Sequence, residues 1–173
     1  MNSIGKGFLF LLAICIGIRL FVGEPCYVPS ESMGPTLRSG DWIWLDKVSY
    51  GALLPNRFAD IPLLNAFTWI TPLRVMDERI HWKSRRMAGF CKPQVHDVIV
   101  FRHPQNRNML LVKRIVSVSE RNGCLSYYVM GDNRENSIDS RVWGEIPDTV
   151  IVGKVNRILF SVKDWKRILK KVE

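Results

Sequence analysis

The chain has 173 residues, a formal net charge of +9 and a hydrophobic fraction of 47%. This length fits one domain plus a further segment, and this composition excludes an intrinsically disordered protein. The basic residues concentrate in stretches 79–92 and 163–171, and no nucleic-acid-binding motif accompanies them. The positive charge therefore favours contact with an anionic membrane surface over binding to nucleic acid.

The amino-terminal segment predicts a membrane anchor. Residues 4–23 are apolar apart from Lys6 and Arg19, and as a helix they would extend about 30 Å, enough to cross a bilayer core. A cleavable signal sequence is the less favoured alternative, because Pro25 stands where a small-residue cleavage site is expected. Positive charge before the segment predicts a cytoplasmic amino terminus and a domain on the outer face of the cytoplasmic (inner) membrane.

Short strands separated by turns follow the anchor. Strands are predicted at residues 41–45, 97–101, 109–118, 124–130 and 149–160. Asn122-Gly123 is a turn signal, and Gly153 predicts a bulge within the last strand. The pattern predicts a mostly β fold: a small antiparallel β-sheet or partly open barrel with one N-terminal transmembrane helix. The expected division is an anchor at 1–23 and an extracytoplasmic domain at 24–173.

Two stretches do not read as strands. Residues 51–92 are interpreted as an insertion with short helical pieces, in which Trp69 and Trp82 lie at the membrane interface or in ordinary packing. Residues 162–172 predict a short basic amphipathic helix that lies on the membrane or caps the domain.

The four cysteines include no C-x-x-C pair, so they indicate neither a zinc site nor a redox site. In an extracytoplasmic domain, Cys91 and Cys124 can pair or remain free thiols, and the sequence leaves both possibilities open.

A serine loop is the first candidate for chemistry. Residues 29–37 read PSESMGPTL, and their two prolines predict a rigid loop around Ser32. A serine hydroxyl is a weak nucleophile and needs a base. The histidines His81, His96 and His103 lie in no motif that pairs them with such a loop, so we expect structural or surface roles for them.

A lysine can serve as the base if it is uncharged. Burial among apolar groups disfavours the ammonium form and lowers the pKa of the amine. In the strand predicted at 109–118, Lys113 shares a face with Leu111 and Ile115 and so projects between aliphatic neighbours. Taken alone, this strand fits an ordinary exposed lysine better than a catalytic one.

A polar segment at residues 131–141, GDNRENSIDSR, is the third candidate. Its composition alone is typical of a surface loop. A neutral lysine, however, needs a hydrogen-bond acceptor that fixes its direction, and Ser137 can supply one. Asp139 and Arg141 are two residues apart and can brace the loop as an ion pair.

Taken together, these segments resemble the type I signal peptidases, which are membrane-anchored Ser-Lys proteases that remove signal peptides from exported proteins. Residues 29–37 are similar to the nucleophile box of that family, and residues 40–51 to the box that follows it. Residues 113–116 resemble the lysine box, and residues 131–147 resemble the last box. The order and spacing of the boxes and the N-terminal anchor all agree with the resemblance.

The resemblance implies a role for each matched residue. Ser32 would be the nucleophile, Lys113 the general base, and Ser137 the residue that orients Lys113. The Ser30 hydroxyl and the backbone N–H of Ser32 would form the oxyanion hole. The residues implied to shape the site are Asp132, Asn133, Arg134, Asp139 and Arg141. The implied partners are signal peptides of exported preproteins and membrane lipid, with no metal, no cofactor and no nucleic acid.

Two features depart from the family pattern. Only residues 117–130 separate the lysine box from the last box, so we expect the extra β subdomain of longer members to be absent. The insertion at 51–92 is, conversely, longer than a compact member needs. Two alternative functions remain open: a specialised protease of the same clan that matures a pilin or a conjugation protein, and an inactive membrane scaffold.

Overall fold

A computed structural model describes residues 3–55, 60–61, 85–106 and 109–172. Within these residues, seven strands form one curled antiparallel sheet in the order β1-β2-β7-β3-β4-β5-β6. The strands are β1 Gly23–Tyr27, β2 Asp41–Asp46, β3 Val98–Arg102, β4 Leu110–Arg121, β5 Cys124–Met130, β6 Ile146–Pro147 and β7 Ile151–Ser161. The predicted fold class, mostly β with one apolar N-terminal helix, is confirmed.

The N-terminal helix is long and apolar enough to cross a membrane by length and composition. Helix α1 spans Ser3–Gly17 and continues as one π-helical turn over Ile18–Val22. The segment Ile4–Val22 has 19 residues with a mean hydropathy of 2.0, and none of it is buried against the domain. An apolar helix that is not buried in protein is what a bilayer would surround.

A cluster of charged groups joins this helix to the sheet. The Lys47 ammonium donates to the carbonyl of Arg19 at 2.8 Å and pairs with Glu24 at 2.9 Å. Glu24 also accepts from the Arg19 guanidinium at 2.7 Å. Because the last carbonyls of a helix have no partner within the helix, the Lys47 bond satisfies one of them and fixes the helix end against β2.

The five predicted strands are all present; β5 has the predicted bounds, and the ends of the other four differ by one to three residues. Two short strands, β1 and β6, were not predicted. Pro25 argues against a strand because it has no N–H to donate, but β1 lies at the edge of the sheet, where that donor is not needed. The bulge predicted at Gly153 is confirmed by a register shift, and a Cβ there would lie 2.3 Å from the carbonyl oxygen of Asp46.

Strand β3 separates two hydrophobic cores. Its alternate residues enter different clusters, with Val98 and Val100 in one and Ile99 and Phe101 in the other. The first cluster includes β2 and β7 side chains, and the second includes β4 and β5 side chains. Lys113 of β4 is directly opposite Ile99, so its side chain leaves the sheet on the same face as the second core.

The helix predicted for residues 162–172 is wrong. The structure has one 3₁₀ turn at Trp165–Arg167, followed by extended chain that lies beside β7. The backbone N–H of Ile158 donates to the Lys170 carbonyl at 2.8 Å, and that of Val172 donates to the Asn156 carbonyl at 3.0 Å. A helix would forgo these bonds and would remove Arg167 from a buried ion pair, so tertiary contacts outweigh the amphipathic pattern.

The described residues at the two ends of the insertion pair with each other. Leu53 and Arg86 make an antiparallel bridge, and the Met87 N–H donates to the Ala52 carbonyl at 3.0 Å. Trp69 and Trp82 and most of the expected helical pieces lie outside the described residues.

The four cysteines are free, so Cys91 and Cys124 do not pair in this structure.

Candidate active site

The serine loop is held by the first core. The Val28 N–H donates to the Asp41 carbonyl at 2.9 Å and closes the loop between β1 and β2. Met33 and Leu37 are both buried in the first core, and the Leu37 N–H donates to the Met33 carbonyl at 2.9 Å. These anchors leave Ser32 half-buried at the turn.

Lys113 reaches Ser32 across 81 residues of sequence. Its Nζ lies 2.9 Å from Ser32 Oγ and 3.0 Å from Ser137 Oγ, and the residue is only 3% exposed. Burial lowers the pKa of the Lys113 amine; the negative charge of Asp139 opposes this shift, and the positive charge of Arg141 adds to it. The net direction favours the neutral amine that a general base requires.

The polar loop fixes the direction of Ser137. The Ser137 hydroxyl donates to Asp139 Oδ2 at 2.8 Å, and the buried Asp139 also accepts from the Gly131 N–H at 3.1 Å and from Arg141 Nε at 2.8 Å. Burial alone would raise the pKa of the Asp139 carboxyl, but these hydrogen bonds hold it well below its usual range. The Ser137 proton therefore points at a carboxylate, and its oxygen is free to accept from Lys113.

Glycine is required where the two loops meet. A Cβ at Gly131 would lie 2.3 Å from Ser137 Oγ and 2.4 Å from the Ser32 carbonyl oxygen. The Asn133 N–H donates to that same Ser32 carbonyl at 3.1 Å, and its side-chain amide donates to the Glu31 carbonyl at 3.2 Å. Asn133 thus joins the polar loop to the two backbone carbonyls that flank the Cα atom of Ser32.

Ser30 lies beside the candidate nucleophile. Its side chain is exposed, and its Oγ is 3.3 Å from Ser32 Oγ. A hydroxyl at this distance can donate to the oxygen of a carbonyl that Ser32 attacks.

Asp132 contacts a partner that sequence reasoning missed. Arg114 donates from Nε and Nη2 to the two carboxylate oxygens of Asp132, each at 2.8 Å. Burial by itself would raise the pKa of Asp132, but this pair lowers it. The ladder of β4 and β5 places Arg114 opposite Met130, two residues before Asp132, but a bulge between Ile115 and Ser117 shifts this register, so a count from the Asn122-Gly123 turn does not predict it.

Arg134 contributes mainly through its backbone. Its carbonyl accepts from Arg141 Nη2 at 2.7 Å, while its exposed side chain contacts the sulfur of Met130. Arg141 therefore crosses the polar loop from Asp139 to Arg134, as the expected brace requires.

His96 and His103 have other partners. His103 Nδ1 accepts backbone N–H groups of Gln105 and Asn106, and the His96 carbonyl accepts from Arg114. His81 lies outside the described residues. In the part of the chain that the structure describes, the base within hydrogen-bond distance of Ser32 Oγ is Lys113. The same part holds no group of three or more His, Cys, Asp or Glu residues able to bind a metal ion.

A comparison with known families decides the class of protein. The profile described as "Signal peptidase, peptidase S26" matches residues 1–119 and 125–160. The chain belongs to the signal peptidase family, peptidase S26. The resemblance read from the sequence boxes is therefore confirmed, and the chain is a serine endopeptidase of the signal peptidase I type, a hydrolase.

Individual signal peptidases agree with this assignment. Signal peptidase I of Pseudomonas aeruginosa is 27% identical over 94% of this chain and 73% of its own length. Probable signal peptidase I-1 of Synechocystis sp. is 32% identical over 91% of this chain and 81% of its own length. Signal peptidase I of Leptolyngbya laminosa is 31% identical over 83% of this chain and 71% of its own length.

The comparisons also contain gaps. The alignment with the Pseudomonas aeruginosa signal peptidase runs over 234 positions, which exceeds the 173 residues of this chain. The family match is interrupted at residues 120–124, where β4 turns directly into β5. In this member a plain hairpin joins Lys113 to the polar loop.

Proposed function

We propose that the chain cleaves the N-terminal signal peptides of exported preproteins at the membrane surface with a Ser32–Lys113 dyad. The observation that carries the proposal is the buried Lys113 amine, 2.9 Å from Ser32 Oγ and 3.0 Å from a Ser137 hydroxyl that is itself directed at Asp139. Family membership and the signal peptidase I relatives support the substrate class.

Acylation follows from this geometry. Neutral Lys113 accepts the proton of Ser32 while Oγ bonds to the substrate carbonyl carbon. The oxyanion that forms would accept hydrogen bonds from the Ser30 hydroxyl and the Ser32 N–H, and donors of this kind are each worth about 3 kcal/mol in other proteases. The Lys113 ammonium then gives its proton to the leaving amine nitrogen, the C–N bond breaks, and the signal peptide stays as an ester on Ser32.

Deacylation uses the same groups in reverse. Lys113 accepts a proton from water, the hydroxide attacks the ester, and Ser32 recovers its proton as the signal peptide leaves. Throughout the cycle Ser137 accepts one N–H of Lys113, so the lone pair of the amine stays directed at Ser32 or at the attacking water. Asp139 holds Ser137 in the orientation that makes this possible.

The anchor supports action at the membrane. The apolar helix Ile4–Val22 would hold the domain of residues 24–173 at the bilayer surface, as a single-pass protein of the cytoplasmic membrane with its catalytic domain outside. The net charge of +9 favours an anionic lipid surface as a partner. Signal peptides reach the same surface as they emerge, so enzyme and substrate would meet in two dimensions.

The dyad is tested with a purified preprotein and the full-length protein in detergent. We expect Ser32→Ala and Lys113→Met each to lower kcat/KM by at least about a thousandfold, because either change removes nucleophilic attack. Ser117→Ala and Lys166→Met are matched controls at exposed positions and should retain wild-type cleavage. Cleavage by Lys113→Met at the wild-type rate would refute the proposed mechanism.

A further inference from the structure

The C-terminal tail reaches the serine loop through one buried arginine. Arg167 is 5% exposed and Asp41, at the start of β2, is fully buried. Arg167 Nε lies 3.1 Å from Asp41 Oδ1, and Nη2 donates to Asp41 Oδ2 at 2.7 Å. The same Nη2 donates to the carbonyl oxygen of Thr36 at 2.7 Å. One guanidinium therefore connects the base of β2 to the loop that carries Ser32.

Thr36 is contacted from both sides. Its carbonyl accepts from Arg167, and its hydroxyl lies 3.5 Å from Nη2 of Arg114, the partner of Asp132. Thr36 is therefore contacted both by the tail and by the arginine that pairs with Asp132 of the polar loop. Thr36 is four positions after Ser32, and the Leu37 N–H bond to the Met33 carbonyl spans the same turn.

We propose that Arg167 is a positioning residue for the nucleophile, a role that rests on the proposed function of Ser32. Its planar fork sets the separation between the Asp41 carboxylate and the Thr36 carbonyl, and so fixes the turn that presents Ser32 Oγ to Lys113. A displacement of about 1 Å at a reacting atom can cost about a hundredfold in rate. The tail that was expected to lie on the membrane or cap the domain thereby supports the active site.

Stability must be separated from positioning in the test. Arg167→Met alone leaves the buried Asp41 carboxylate without its partner and is expected to destabilise the fold. Arg167→Met combined with Asp41→Asn removes both charges, so it relieves that penalty while still lacking the bond to Thr36. Lys166→Met, one residue away and exposed, is the matched control.

The experiment measures preprotein cleavage by the full-length protein in detergent, at a temperature where circular dichroism shows each variant folded. We expect kcat to fall by about tenfold or more in both the single and the double variant, with KM changed less than about twofold. The pH at which kcat/KM falls on acidification, the acid limb of the pH profile, should equal that of the wild type, because Arg167 does not contact Lys113, Ser137 or Asp139.

Wild-type kcat in either folded variant would overturn the positioning role, and so would a fall in kcat that disappears in the double variant. An equal loss in Lys166→Met would also overturn it. Ser32→Ala is measured in the same assay. If Ser32→Ala cleaves normally, the proposed dyad fails; if it is inactive while Arg167→Met is normal, only the positioning role fails.

Discussion

The charges around Lys113 act in opposite directions. Asp139 favours the ammonium form and Arg141 opposes it, while burial favours the neutral amine. Because Arg141 Nε is 2.8 Å from Asp139 Oδ1, the two charges largely cancel as seen from the lysine. Lys113 can then lose its proton without leaving a buried anion uncompensated.

Arg141→Gln should shift the activity of the enzyme to higher pH. The change removes a positive charge that lowers the pKa of Lys113, so that pKa should rise. In the proposed mechanism activity requires the neutral amine and is lost as the pH falls through the pKa, so the acid limb of kcat/KM should move to higher pH. Arg141→Lys keeps the charge and should leave the limb closer to wild type. A downward shift in Arg141→Gln would contradict this electrostatic account.

The site could be predicted from the sequence only where its contacts are local or where segments that resemble the family boxes implied them. Ser137, Asp139 and Arg141 lie within five consecutive residues, and chemistry alone suggested their roles. The proximity of Ser32 and Lys113 came from the resemblance to a family. The Arg167–Asp41 pair spans 126 residues, and neither spacing nor composition in the sequence indicates it.

At the scale of elements, strands with clear alternation were predicted and elements held by tertiary contacts were not. β5 has the predicted bounds, and β2 differs by a single residue. β6 has two residues and carries no periodic signal at all. The tail over residues 162–172 has a helical pattern, yet its backbone bonds to β7 instead.

The β4–β5 turn should accept an insertion. Asn122 and Gly123 have φ values of 52° and 74°, which suit a tight hairpin turn, and both are exposed. A flexible six-residue Gly/Ser segment placed between them should keep preprotein cleavage within about twofold, because loop closure costs little and no site residue lies there.

The same segment inserted between Glu135 and Asn136 is the matched control. It should abolish cleavage, because it separates Arg134 from the Arg141 side chain that bonds its carbonyl at 2.7 Å. If the hairpin insertion were as damaging as this one, the turn would have a function that the structure does not show.

At the scale of the whole molecule, the charged junction sets how the domain meets the membrane. Lys47 and Glu24 hold the end of the apolar helix against β2, so the helix and the sheet meet through fixed contacts. The direction in which the helix crosses the membrane was predicted from Lys6 and the amino terminus, and it remains a prediction.

Native cysteines can report the sidedness. Cys124 lies exposed at the hairpin and is a free thiol. In spheroplasts, a membrane-impermeant maleimide should label wild type but not Cys91→Ser/Cys124→Ser, whereas a cysteine introduced by Asn2→Cys in that background should react only after permeabilisation. Labelling of the wild type only after permeabilisation would place the domain in the cytoplasm.

The most direct test of the central claim is the titration of Lys113 itself. Lysine labelled with ¹³C at Cε is incorporated into the full-length protein in detergent, and the Lys113 NMR signal is assigned by its loss in Lys113→Met. We expect it to titrate below the ordinary lysine pKa of 10.5 and at the same pH as the acid limb of kcat/KM, because burial disfavours its charged form. An unshifted titration, or one that does not coincide with the acid limb, would contradict Lys113 as the base that activates Ser32.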